Sequence, residues 1–228
     1  MCGRFTLMAS PLEIAKAFPW IEVPKDLTPR YNIAPMQPVA VVPNDGQNRL
    51  AFFQWGLIPP WAKDPQIGNR LINARAETLA EKPFFRSAFR RRRCLILADG
   101  FYEWRREVSK WGRVVKIPMY IRLKSGRPFA FAGLWEVWEG EPSIYSCAII
   151  TTIPNELVSS IHNRMPVVLK PEVYALWLDP RVQAPEVLVE LLGPYPASEM
   201  EAYPVSTLVN DPKNDLPACI LPTQQDRK

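Results

Sequence analysis

The chain has 228 residues, of which 47% are hydrophobic and 22% charged, and its formal net charge is +5. Those figures fit one globular domain with a sizeable core, and no apolar run reaches the roughly 18 residues of a membrane span. The N-terminus lacks the basic segment and apolar stretch of a secretory leader, so the expected location is the cytoplasm.

The 25 prolines cut the chain into short elements, which argues against a helical bundle. Ser10 is placed to cap a short helix over Leu12–Phe18. Val39–Val42 and Leu50–Trp55 read as strands around the turn Asn44-Asp45-Gly46. Lys82–Arg90 has helical spacing, and Cys94–Ala98 is a buried strand that runs into Gly100. Met119–Leu123 and Phe129–Leu134 flank Ser125-Gly126-Arg127 and are expected to pair as a hairpin. Tyr145–Thr152 is a further strand with a short helix, Asn155–Ile161, behind it; Val173–Leu178 and Pro185–Leu192 read as helices. Many strands and few short helices predict an α+β fold, a single domain over residues 1–228 around a curved, mainly antiparallel sheet or partial barrel. Only the tail after Pro217 looks loosely attached.

The four cysteines are far apart, with no CxxC pair and one histidine in the chain, so neither a metal site nor a disulfide framework is expected. Cys94 and Cys147 lie in apolar runs and read as core. Cys2 differs, because removal of Met1 would make it the first residue. Its α-amine and thiol would then form a 1,2-aminothiol, which condenses with an aldehyde to an imine and closes to a five-membered thiazolidine. Both groups have ordinary pKa values near 8, so each keeps a nucleophilic fraction at neutral pH.

Three other segments place polar groups in turn-rich contexts. Asn73 opens Asn73-Ala74-Arg75-Ala76-Glu77-Thr78, and its amide can orient an amine or a sugar oxygen. Glu103 sits among Phe101, Tyr102 and Trp104, surroundings that would desolvate its carboxylate and suit a proton shuttle. His162 carries whatever imidazole chemistry the chain has. Arginines cluster at Arg86 and Arg90–Arg93 and recur at Arg4, Arg30, Arg70, Arg75, Arg105, Arg106 and Arg164, a distribution suited to phosphate oxygens. Trp61, beside Pro59 and Pro60, could offer a stacking face or a wedge.

As a set, Met1-Cys2-Gly3-Arg4-Phe5, Pro29–Pro35, Trp55–Trp61, Asn73–Thr78, Gly100–Trp104 and His162–Pro166 resemble the SRAP (SOS response-associated peptidase) family, from Met1 to about Asp179. That resemblance implies a covalent crosslink between Cys2 and an abasic site in single-stranded DNA or at a junction. It gives the catalytic positions as Cys2, Asn73, Glu103 and His162, and the DNA-facing ones as Arg4, Arg75, Arg164, Trp61, Arg86 and Pro35. No metal, organic cofactor or membrane is implied, and a monomer is expected. Two rivals stand beside it: a thiol peptidase with Cys2 as nucleophile, for which removal of Met1 would be self-processing, and a non-catalytic single-strand binder.

Overall fold

A computed structural model of the protein describes residues 2–109 and 111–223. Its strands are β1 (Phe5–Leu7), β2 (Arg30–Ile33), β3 (Pro38–Pro43), β4 (Ala51–Trp55), β5 (Asn73–Arg75), β6 (Arg93–Ala98) and β7 (Gly100–Val108), followed by β8 (Val114–Leu123), β9 (Phe129–Trp138), β10 (Ile144–Thr152), β11 (Met165–Pro166), β12 (Val168–Leu169) and β13 (Met200–Pro204). The helices are short: α1 (Pro11–Ala17), α2 (Arg86–Arg91), α3 (Glu156–Ser159), α4 (Tyr174–Leu178) and α5 (Pro185–Val189). Among the described residues, no helix is long and apolar enough to cross a membrane.

Local chemistry fixes several of these elements. Ser10 and Glu13 form a capping box at α1, with a proline in the first turn. Asn155 caps α3 by accepting from the Val158 N–H at 2.9 Å. In the turn after β3, Gly46 takes φ +79°, a conformation that glycine adopts without steric cost.

The strands form an eight-stranded and a five-stranded sheet, which bears out the mixed, mainly antiparallel architecture. In the larger sheet β10, β4, β3, β6 and β9 pair in that order, and β9 returns to β10, closing a ring. The parallel pairs are β10 with β4 and β10 with β5. All six residues of β6 are buried, as a strand enclosed on both faces requires.

The expected hairpin of Met119–Leu123 with Phe129–Leu134 does not form. Both strands exist, but β8 pairs with β7 and β13, while β9 pairs with β6, β10 and β12, so Ser125-Gly126-Arg127 carries the chain from one sheet to the other. A turn signature reports that the chain reverses, not which strand satisfies its backbone groups afterwards. Here the apolar β6 is the partner of β9.

The smaller sheet has the order β13-β8-β7-β1-β2. Phe5 of β1 reaches into the ring, meeting Trp55 at 5.1 Å and Phe131 at 5.7 Å between ring centroids. This edge-on aromatic contact fixes the chain three residues after Cys2. Gly100 is equally constrained, because a Cβ there would lie 2.1 Å from the Tyr120 hydroxyl oxygen. That hydroxyl meets Thr6 Oγ1 at 2.9 Å, and Thr6 donates to Asp99 at 2.5 Å. Asp99 also accepts the Met8 and Ala9 N–H groups at 2.6 and 2.8 Å, which locks β1 onto the start of β7.

The C-terminal segment is held more firmly than its sequence suggests. Asn32 Nδ2 donates to the carbonyls of Val209, Asp211 and Asn214 at 3.3, 3.0 and 2.8 Å. Asp215 accepts the N–H groups of Tyr31 and Asn32 at 2.5 and 2.9 Å and pairs with Arg30. Beyond Pro217, Cys219 is buried and the Thr223 N–H donates to Pro204 O at 2.9 Å. Past Pro217 the chain is therefore anchored by Cys219 and by this backbone bond, with residues 221–223 exposed, and its last five residues lie outside the described set.

Candidate functional site

The β1–β7 pairing places the N-terminus against Glu103. Phe5 lies opposite Phe101, and the Tyr102 N–H donates to Arg4 O at 2.9 Å. From the larger sheet, β5 runs parallel to β10 with Asn73 beside Ile149, and Asn73 Nδ2 donates to Cys2 O at 2.8 Å. His162 follows α3, its N–H donating to Val158 O at 2.8 Å, and its ring stands 3.9 Å from Glu103. Cys2, Asn73, Glu103 and His162, from four separate stretches of sequence, thus share one site. Met1 lies outside the described residues, so its expected removal has no structural account here.

Electrostatics at this site follow from burial. Glu103 is 3% exposed, and desolvation pushes its carboxyl up to about 7. Burial, then the charge of Glu103, push the Cys2 thiol well above its ordinary range. Burial also lowers His162. Its Nδ1 faces the Arg164 N–H at 3.1 Å and Arg164 O at 3.3 Å, accepting from the first in one tautomer and donating to the second in the other. Among the described residues, the Cys2 thiol's hydrogen bond is the 3.9 Å contact to Arg4 O.

The expected phosphate-binding arginines do different jobs. Arg164 forks onto Glu77 at 2.7 and 3.0 Å and donates to Thr151 O at 2.6 Å. It braces the Asn73–Thr78 segment against the His162 loop. Arg4 donates to Asn32 Oδ1 and Val209 O at 2.7 and 2.6 Å, tying β1 to the C-terminal segment. Arg75 and Arg86 are exposed. The arginine run does not form one cationic patch. Arg92 pairs with Glu136, and Arg93 is fully buried, donating to the carbonyls of Phe89, Arg90, Trp177 and Asp179. Burial lowers its guanidinium to about 10.

Trp61 is 59% exposed and lies over Phe84 at 5.6 Å, tilted by 30°. Trp61, Arg86 and the half-buried Pro35 make no hydrogen bond or ring contact with the four central residues among the described set. Sequence reasoning assigned no role to Glu77, Asn32 or Thr151. Glu77 lies inside a motif already singled out and was within reach of the sequence. The bonds of Asn32 to carbonyls more than 170 residues away have no sequence signature.

An α+β fold that brings Cys2, Asn73, Glu103 and His162 into one site defines a class. The SOS response associated peptidase (SRAP) family model matches residues 1–212, and the chain belongs to that family. Its relatives include the abasic site processing protein YoqW of Bacillus subtilis (strain 168), 53% identical over 226 residues, an alignment covering 96% of this chain and 99% of that protein. The abasic site processing protein HMCES of Xenopus tropicalis is 30% identical over 267 residues, covering 96% and 78% respectively. A crystal structure of a Bacteroides thetaiotaomicron protein has the same fold, with a TM-score of 0.86 at 26% identity, covering 97% of this chain and all of that one.

Proposed function

We propose that the protein captures abasic sites in single-stranded DNA by forming a thiazolidine through Cys2 once Met1 is removed. The observation that carries this reading is the Asn73 amide, 2.8 Å from the carbonyl of Cys2, beside a buried Glu103 raised to about 7. An amide in that place fixes the backbone next to the reacting nitrogen. A carboxyl that titrates near neutrality can both give and take a proton.

The abasic sugar equilibrates between a closed hemiacetal and an open aldehyde. Glu103 assists ring opening, and the Cys2 amine adds to C1′ to give a carbinolamine. Loss of water, with the proton supplied by Glu103 or His162, gives the imine. The thiol sulfur then adds to C1′ while its proton passes to the imine nitrogen, closing the ring. One water leaves overall. Trapping the imine removes the route to β-elimination, so the strand stays whole. Holding both partners in register is worth about 7–11 kcal/mol in favourable cases.

Arg75 and Arg86 are the exposed cations assigned to phosphates, with Trp61 as a stacking face. Arg4 and Arg164 act first as braces, because their guanidinium groups are already engaged by protein acceptors. A peptidase reading is less well supported, since the hydrogen bond of the Cys2 thiol goes to Arg4 O rather than to His162.

Intact mass after mixing with a single-stranded oligonucleotide carrying one abasic site tests the reading. The expected species is protein without Met1, plus oligonucleotide, minus one water, absent in Cys2→Ala. A protein lacking Met1 that forms no denaturant-stable adduct overturns it.

A further inference from the structure

The β7–β8 ribbon outruns the strands that flank it. β1 pairs with β7 at Gly100 and Phe101, and β13 pairs with β8 from Met119 to Leu123. β7 and β8 stay paired with each other out to Val108 and Val114. Residues 105–108 and 114–117 therefore form a two-stranded arm, and Gly112 between them takes φ +72°. Val108, Trp111, Val114 and Val115 on this arm are 73, 78, 64 and 40% exposed. A two-stranded ribbon is marginal by itself, and clustered exposed apolar groups mark a contact surface.

Two observations identify the partner. In register, Arg106 stands directly opposite Lys116. Like charges facing each other across strands destabilise the pair, and an anion between them reverses that cost. The carboxylate of the arm, Glu107, lies on the opposite face by strand alternation and is engaged by Arg105 at 2.7 Å. Second, Arg106 and Lys116 line the same cavity as Glu103, Trp104 and His162, of about 560 Å³, so the cationic pair opens onto the candidate active site. A polyanion that carries aromatic rings and is threaded through that cavity meets both features in turn.

We propose that the arm is a second nucleic-acid contact, in which Arg106 and Lys116 hold a phosphate of the strand leaving the cavity and Trp111 packs against a base farther out. Trp111 lies in the turn beyond Val114, where β8 begins, so it sits farther out along the arm than Lys116. The proposal rests on DNA being the substrate of the candidate site. It adds a surface that selects for length beside the lesion.

The test compares the full chain with Trp111→Ala, Lys116→Gln and Lys116→Arg. Each is titrated with an abasic oligonucleotide of about 5 nucleotides, which fills only the cavity, and one of about 15, which extends past the arm, and with an undamaged strand of the longer length. Trp111→Ala is expected to bind the longer strands about 5- to 150-fold more weakly, the range of one lost stacking contact, and the short one as the parent does. Lys116→Gln should lower the log–log salt slope by about 0.7, and Lys116→Arg should restore it. The crosslinking rate of Trp111→Ala at saturating DNA should match that of the parent. Parent-like affinity of all three for the longer strands overturns the proposal. So does binding to phosphatidylserine vesicles that Trp111→Ala abolishes while DNA affinity stays intact. If the parent forms no crosslink but the affinity differences persist on undamaged strand, the crosslinking reading fails and the arm stands.

Discussion

The closed ring and the smaller sheet are stabilised in different ways. In the ring, β6 and β9 meet along six residue pairs, and their buried side chains are almost all apolar. Near Cys2, the smaller sheet depends on polar hubs: Asp99 holding Thr6, Met8 and Ala9, and Asn32 with Asp215 holding the C-terminal segment. Packing tolerates small shifts, because many weak contacts share the load. A hub is directional, and losing one member strands several buried groups together. The candidate chemistry sits on the hub-built side, where atomic positions are fixed most narrowly.

This contrast can be broken first from the ring. Phe131→Ala, which removes a ring in contact with Phe5, Phe101 and Phe129, should cost about 3–5 kcal/mol in denaturant unfolding. Asn32→Ala should cost less, about 1–3 kcal/mol, yet slow crosslinking more than Phe131→Ala does at equal folded fraction, because it releases Arg4 next to Cys2. Equal rates in the two variants would erase the distinction between the regions.

Glu103→Gln sharpens it with the opposite sign. The folded carboxyl titrates near 7 against an ordinary 4.5, so the native state holds its proton more tightly than the unfolded chain. That stabilisation is complete below the unfolded value and is lost as pH rises through 7. At about pH 8 the glutamine variant should therefore be more stable than the parent by about 1–3 kcal/mol, with the difference vanishing in acid. Its crosslinking should be slower and should lose the pH dependence of the parent near 7. Smallest of all, Glu77→Gln breaks a partly exposed ion pair and should change stability by no more than about 1 kcal/mol.

Features set by nearby residues were legible in the sequence. The α1 cap and the buried β6 follow from patterns spanning a few positions, whereas the four central residues were drawn together only by the resemblance to a family. What escaped depends on partners distant in sequence. Ser125-Gly126-Arg127 signals a turn but cannot show that β8 and β9 lie in separate sheets. Arg93 looks like its exposed neighbours Arg90 and Arg91, and acceptors more than 80 positions away, Trp177 O and Asp179 O, help make it a core residue. Arg164 offered no sign that Glu77, 87 positions earlier, would occupy its fork.

The clasp of Asn32 and Asp215 also bears on how the protein folds. The site needs Cys2 beside Glu103, Asn73 beside β10, and residues 209–215 closed over β2, pairings that span much of the chain. Contacts so distant in sequence form slowly, after local helices and turns. A reactive N-terminal aminothiol would therefore gain its catalytic surroundings only in the last stages of folding, and a fragment ending at His162 would carry all four central residues without the clasp that aligns them.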